Sequence, residues 1–247
     1  MPGVTDLFSR YKTVVVMSEG STFRKQVALC NAAKKIQWIH TDYSLWSKWS
    51  DWTKEITKND SEIYSYFTNI VLLSETIRTK FIACHPHLAD KTTVVKNILP
   101  CDEIIKKSEL NNISYPKLTF VTVGRLSVEK SIPRLVDVLH KLDEEGYDFS
   151  LDIIGNGPEW DSIKNRIESY GLSNRIHLRG SRPNPFTYVR QADVFLLLSE
   201  YEGLPNTIYE ALILGTPVLA TKVGGIPDQV NEGENGWLVD NNFDAIY

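Results

Sequence analysis

Apolar and polar positions in the second half of the chain repeat in a regular rhythm. Leu118 to Val123 is a short apolar, β-rich run, followed by the polar stretch Gly124 to Lys130 and then by Ile132, Leu135, Val136, Leu139 and Leu142 at helical spacing. This reads as strand, loop, helix. The pattern returns with Phe149 to Ile154, the turn Gly155-Asn156-Gly157-Pro158, and a helix over about 159–170 that stops at Gly171. Arg175 to Leu178, a short helix through Arg190 and Val194 to Leu198 continue the series. A helix then follows Glu202-Gly203-Leu204-Pro205 as far as Leu214, and Val218 to Thr221 leads into Gly224-Gly225 and a helix with Pro227 in its first turn. Strands alternating with helices of this length predict an α/β fold, with right-handed crossovers and a parallel sheet covered on both faces.

The first half is less regular but similar in kind. Thr13 to Met17, Ile36 to Ile39, Ile70 to Leu73 and Thr93 to Val95 read as buried strands separated by helical stretches. Asn97 to Pro116 is polar and carries two prolines, which marks a connection between domains. The predicted organisation is therefore a first domain over 1–98, a linker over 99–116 and a second domain over 117–247. The chain opens just before a strand and closes on what reads as the start of a helix, so the first domain is expected to be incomplete.

Composition narrows the chemistry. Lys+Arg 27 against Asp+Glu 31 leaves a formal charge of -4, so no overall basic field exists to hold nucleic acid. Any phosphate site must be local. Cys30, Cys84 and Cys101 are too scattered for a disulfide framework or a zinc site, and no apolar run reaches the roughly 18 residues of a spanning helix. A reducing, cytoplasmic setting is expected. Trp46, Trp49 and Trp52 recur at three-residue spacing with Lys48, Lys54 and Lys58 interleaved on a predicted helix. Core packing is the reading preferred for them; the alternative is a peripheral contact on the cytoplasmic face of a membrane.

Loops at the carboxyl ends of parallel strands line the ligand crevice of an open sheet, and helix N-termini add free amides there. In the second half these loops supply Arg125 and Lys130, the Gly155 and Gly157 turn, the Glu202 to Asn206 loop, and Gly224-Gly225. Glycines allow backbone to approach a diphosphate, Arg125 offers a planar fork and Lys130 a point charge. Glu202 and Glu210, separated by seven residues, form a carboxylate pair able to accept hydroxyl hydrogen bonds from a ribose and a sugar. Other devices are missing. Trp160 occupies the third glycine position of a dinucleotide fingerprint, Gly124 to Lys130 lacks the ending of a Walker loop, His85 and His87 lack a third metal ligand, and no Asp-x-Asp occurs.

The ordered set Gly124-Arg125-Leu126 with Glu129-Lys130, Gly155-Asn156-Gly157-Pro158, and Ser199-Glu200-Tyr201-Glu202-Gly203-Leu204-Pro205-Asn206-Thr207-Ile208-Tyr209-Glu210-Ala211 through Gly215-Thr216-Pro217-Val218 to Gly224-Gly225 resembles the retaining, metal-independent glycosyltransferases of family 4. Trp38-Ile39-His40-Thr41-Asp42 and Val71-Leu72-Leu73-Ser74 extend the likeness weakly into the first half. The resemblance implies a GT-B-like fold of two Rossmann-like domains. It also implies no metal or cofactor, a donor site of Gly124, Arg125, Lys130, Gly155, Gly157, Glu202, Gly203, Leu204, Pro205, Asn206 and Glu210, and His40 reaching the donor from the first domain, with His40 and Glu202 as the catalytic candidates. Arg125 and Lys130 would bind the diphosphate, Glu210 the ribose and Glu202 the transferred sugar.

The function expected on this basis is retaining hexosyl transfer from a UDP-sugar, with GDP-sugar second, to a glycan or polyprenyl-linked acceptor. Two alternatives stand beside it: a nucleotide-sugar epimerase on the same fold, and a noncatalytic or partner-dependent nucleotide-sugar-binding fragment. Because the first domain reads as incomplete, donor binding is expected to exceed turnover.

Overall fold

The computed structural model describes residues 2–110 and 113–247. The chain divides into two compact units, Met1–Asn97 and Ile98–Tyr247. In the first unit the order is α1 (Pro2–Phe8), β1 (Thr13–Val16), α2 (Arg24–Leu29), β2 (Lys34–Ile39), α3 (Tyr43–Trp46), α4 (Asp51–Thr57), α5 (Asp60–Ser65), β3 (Asn69–Leu72), α6 (Glu75–Cys84) and β4 (Thr92–Val94). The four strands form one parallel sheet in the order β1-β2-β3-β4. The four expected strands are present, but only β3 is buried over most of its length. Along β1, Val14 and Val16 are buried while Val15 is exposed, as is Met17 just past its end, because an edge strand with one covered face alternates.

The three tryptophans do not share a helix. The Ser50 hydroxyl accepts from Thr53 N (3.1 Å) and Thr53 Oγ1 accepts from Ser50 N (2.9 Å), a capping box that starts α4 afresh and leaves Trp49 in the turn after α3. Trp49 and Trp52 are 40% and 57% exposed, so core packing does not account for them. The core of this unit is built instead by Ile39, Ile70, Leu72 and Ile77 with the rings of Tyr43, Tyr64, Phe81 and His85 packed on one another.

The second unit runs α7 (Cys101–Ser108), β5 (Thr119–Val123), α8 (Ile132–Glu144), β6 (Ser150–Ile154), α9 (Trp160–Ser169), β7 (Ile176–Gly180), α10 (Phe186–Gln191), β8 (Val194–Leu197), α11 (Asn206–Ile213), β9 (Val218–Thr221), β10 (Gly236–Val239) and α12 (Phe243–Ile246). Within the proline-marked stretch 99–116, α7 forms and packs on α10 and α11. Arg190 reaches Ser108 Oγ and Glu109 Oε1, each at 3.0 Å, and the Tyr115 hydroxyl donates to buried Asp152 at 2.6 Å.

All six strands are parallel, in the order β10-β9-β8-β5-β6-β7. Counted within the unit this is 3-2-1-4-5-6, the doubly wound order, whose direction reverses between β5 and β8. Alternation splits the core between two faces. Leu151, Ile153, Leu196 and Leu198 pack with α8 and α9; Val121, Ile154, Phe195 and Leu197 pack with α10 and α11. The sequence pattern did not mark β10, a short edge strand whose Trp237 lies 48% exposed. The segment after Gly225 makes only a 3₁₀ turn, Ile226–Asp228, rather than a helix. Among the described residues no helix is long and apolar enough to cross a membrane.

Candidate functional site

The reversal of strand order between β5 and β8 opens a crevice at their carboxyl ends, and the loops after these strands carry most of the expected donor residues. After β5, Gly124 and Arg125 lead into a 3₁₀ turn, Val128–Lys130. Ser131 follows at φ 52°, the left-handed region, where a residue with a Cβ is strained. That kink separates the turn from α8 and leaves Lys130 facing the loop after β8. Lys130 Nζ lies 2.5 Å from Glu202 Oε1, and the buried Ser199 hydroxyl donates to the same oxygen at 2.7 Å. Glu202 Oε2 has no partner among the described residues and is reached by solvent. A nearly buried carboxylate is thus fixed by one oxygen and offers the other.

Arg125 is held differently. Its guanidinium sits 3.0 Å from Glu129 Oε1, which also accepts from Ser127 Oγ at 2.5 Å, and Glu200 N donates to the Glu129 carbonyl at 2.8 Å. Burial pushes the Glu129 carboxyl up, but the hydrogen bonds from Ser127 and Arg125 outweigh it and hold the group below its ordinary 4.5. The Arg125 side chain remains 70% exposed, anchored at one end and open to a ligand at the other.

The glycines of the 155–157 turn answer to the protein's own backbone. Gly155 has φ 146°, and a Cβ there would stand 1.8 Å from the Gly124 carbonyl oxygen; one at Gly157 would stand 2.2 Å from the Leu126 oxygen. These two loops are stitched by Leu126 N to the Asn156 oxygen and Glu159 N to the Leu126 oxygen, both 3.0 Å. Gly124 differs, because a Cβ there would meet only the Lys130 stem at 3.7 Å, so its open side is free for a close approach by ligand. Beside it lies an open cleft of about 560 Å³, solvent included, lined by Gly124, Arg125, Gly155, Asn156, Ser181 and Arg182. Sequence reading missed Ser181 and Arg182; the signal available was a polar Arg-Gly-Ser-Arg run over 179–182, which spans the end of β7 and the first residues after it.

The Glu202 loop is clamped from the next crossover. Gly225 N donates to the Gly203 oxygen at 2.8 Å and Gln229 Nε2 to the Pro205 oxygen at 3.0 Å, while Gly224, at φ 57°, leaves no room for a Cβ against the Glu202 carbonyl at 2.2 Å. Leu204 is buried, and Pro205 and Asn206 open α11. Glu210 lies in that helix, half-buried and without an ionic partner among the described residues. Burial raises its carboxyl above the usual range. Such a carboxylate is short of donors, which ribose hydroxyls would supply.

In the first unit His40 follows β2, its ring stacked on Trp38 with centroids 6.1 Å apart. Neither imidazole nitrogen has a partner among the described residues, which disfavours a satisfied structural histidine. The backbone is fixed instead by a carboxylate the sequence reading passed over. Glu19, 3% exposed, accepts from His40 N at 3.2 Å and from Thr41 Oγ1 at 2.5 Å. Asp42 caps α3 through Ser44 N (3.1 Å) and pairs with Lys80 at 2.6 Å. Among the described residues no group of three His, Cys, Asp or Glu is arranged around a common point to hold a metal ion.

Residues 103–246 match the family described as glycosyl transferases group 1. The chain belongs to this family. It is 28% identical over 200 residues to an uncharacterized glycosyltransferase of Methanocaldococcus jannaschii, covering 78% of this chain and 49% of that protein. It is 34% identical over 133 residues to the putative colanic acid biosynthesis glycosyltransferase WcaL of Salmonella typhimurium, covering 51% of this chain and 33% of WcaL. The chain thus spans half or less of the length of these relatives. Among solved structures, Anabaena HepE in complex with UDP superposes with a TM-score of 0.76 over 99% of this chain and 70% of HepE, at 19% identity. At that identity the likeness speaks for the fold, α/β with parallel sheets of the GT-B kind.

Proposed function

We propose that the chain serves retaining hexosyl transfer from a UDP-sugar to a glycan or lipid-linked glycan acceptor. The observation that carries this reading is the cluster at the β5/β8 reversal, where Lys130 and Ser199 share one oxygen of Glu202 and leave the other free. A cation for diphosphate and an oriented acceptor for a sugar hydroxyl stand side by side. UDP is preferred over GDP because a protein of the same fold, HepE, is known with UDP bound.

In the proposed reaction the bond from the anomeric carbon to the diphosphate breaks, and a bond to the acceptor oxygen forms on the same face. The proton of the acceptor hydroxyl passes to the leaving diphosphate. Positive charge develops on the sugar ring and negative charge on the leaving group. Arg125 and Lys130 stabilise the latter from positions already set in the folded chain, which avoids reorganisation during the reaction. Glu202 Oε2 orients the sugar, Glu210 accepts from the ribose, and His40, with both ring nitrogens free, is the catalytic candidate of the first unit.

Thermal-shift titration with UDP, GDP and their glucose conjugates tests the reading. A ligand present at 100 times its Kd adds about 2.7 kcal/mol of stability. The expected result is a saturable shift with UDP and UDP-glucose, diminished by Arg125→Ala and by Lys130→Ala. No shift with any of the four ligands contradicts the proposal.

A further inference from the structure

The first unit holds an open cleft that the donor chemistry does not use. It measures about 760 Å³, solvent included, within the roughly 300–1,000 Å³ common for small-ligand sites. One wall is the loop after β1, with Gly20, Ser21 and Thr22; the other comes from the end of α4, with Glu55, Lys58 and Asn59. The lining combines hydroxyl, amide and charged groups with apolar surface that includes Ile56.

Arg24, beneath the cleft, is neutralised by buried Asp60 at 3.0 Å. Lys25 and Lys58 are exposed and line the same cleft; Lys25 also acts electrostatically on buried Asp60. Facing them is Glu55, so the cleft carries an excess of positive charge in a chain whose net charge is negative. Aromatic surface adjoins it. Trp46 and Trp52 cross edge to face at 6.4 Å, and both ring edges abut Gly20, where a Cβ would lie 3.4 Å from Trp52 and 3.6 Å from Trp46. Trp52 is nonetheless 57% exposed, an aromatic plate held in place by packing along one edge. The loop is also tied to His40: Glu19, next to Gly20, is the carboxylate that accepts from His40 N.

We propose that this cleft is a glycan subsite for a sugar bearing a negative charge, either a uronic acid or a sugar phosphate, with Trp52 against the ring and Lys25 and Lys58 on the anion. Ser21, Thr22 and Asn59 supply hydroxyl and amide partners for the sugar hydroxyls. That the sugar bound there belongs to the acceptor glycan rests on the glycosyltransferase reading; the existence of the binding site does not.

The test uses the whole chain without nucleotide. Tryptophan emission is titrated with methyl glucuronide, glucose 6-phosphate, methyl glucoside and inorganic phosphate, each to about 20 mM, which covers millimolar affinities. Saturable quenching by the glucuronide, by glucose 6-phosphate or by both is expected, with the responding arm identifying the source of the charge. Methyl glucoside should bind at least about fivefold more weakly, since the gain from an exposed charge pair is modest. The double substitution of Lys25 and Lys58 by alanine should weaken the charged sugar about tenfold or more, and Trp52→Phe should remove most of the quenching while the fold, checked by circular dichroism, is retained. Equal response to inorganic phosphate and to the sugars would reduce the cleft to a bare anion site and overturn the proposal. So would equal binding of methyl glucoside, or no response to any probe. Binding of UDP alongside failure of all four probes defeats the subsite and leaves the donor reading standing. Binding of a charged sugar without UDP supports the subsite and defeats the donor reading.

Discussion

Replacing Lys130 by methionine keeps the length of the stem and deletes the charge that faces Glu202. The side chains of the pair are 18% and 10% exposed and approach to 2.5 Å, so Glu202 would keep only the Ser199 hydrogen bond. At an effective dielectric near 20, unit charges about 4 Å apart interact by about 4 kcal/mol. Stranding one partner of a buried pair costs about 3–5 kcal/mol. Partial exposure and the surviving Ser199 bond place Lys130→Met near the lower end, at about 3 kcal/mol. For a protein of this size each kcal/mol moves the melting temperature by about 2–4 °C, so the expected drop is about 6–12 °C. Glu202→Gln removes the stranded charge, and the double variant Lys130→Met with Glu202→Gln should therefore melt above Lys130→Met alone. A thermal melt of the four proteins by circular dichroism gives the coupling directly. The same four proteins separate binding roles. Lys130→Met should weaken UDP by about 1.5–3 kcal/mol, whereas Glu202→Gln frees the ammonium and should leave UDP binding intact or tighter while weakening UDP-glucose relative to UDP. A Lys130→Met protein as stable as the parent, or strictly additive losses in the double variant, would refute the coupling on which the donor site is argued.

The lone carboxylate of Glu210 gives a prediction of opposite signs for stability and binding. Because burial raises its pKa in the folded chain, the native state holds the proton more tightly than the unfolded state, and stability falls as pH rises through the window above the ordinary value of 4.5. Glu210→Gln should therefore melt higher than the parent at pH 7 and converge with it in acid, while losing about 1.5–3 kcal/mol of UDP affinity by calorimetry. Glu129 behaves the other way. Its depressed pKa gives stability that is present above pH 4.5 and lost as pH falls through the lower folded value, so Ser127→Ala should be destabilising at neutral pH and lose that effect as acid protonates the folded carboxyl, in melts from neutral into acid pH. Gly224→Ala places a Cβ 2.2 Å from the Glu202 oxygen at a positive φ. It should cost more than about 3 kcal/mol in a denaturant melt, with UDP-glucose binding lost along with the loop geometry.

Much of the second unit was legible in sequence because each strand and helix there satisfies a local rule. Leu118 to Val123 and Phe149 to Ile154 are apolar enough to be central strands, and the period of Ile132, Leu135, Val136 and Leu139 matches the buried stripe of α8. The elements that escaped lack such a signature. β10 is short and half-exposed at an edge, and the turn after Gly225 carries Pro227 near its start, which looks helical, but closes within three residues. The tryptophan series misled because spacing alone cannot see that Ser50 and Thr53 cap a new helix between Trp49 and Trp52.

The candidate site divides along the same line. Residue order by itself determined that Arg125, Lys130, Glu202 and Glu210 lie in loops and helices at the carboxyl edge of a parallel sheet, since strand direction and crossover hand leave little choice. It could not decide which side chains meet. That Lys130 takes one oxygen of Glu202, that Ser199 shares it, that Gly155 and Gly157 serve the Gly124 to Leu126 backbone, and that Glu19 fixes His40 all depend on contacts between segments distant in sequence. Hydrophobic periodicity fixes local conformation because each side chain responds to its near neighbours. Pairing of charges and close backbone approach are set by loops from separate crossovers, and those come together only when the sheet is assembled.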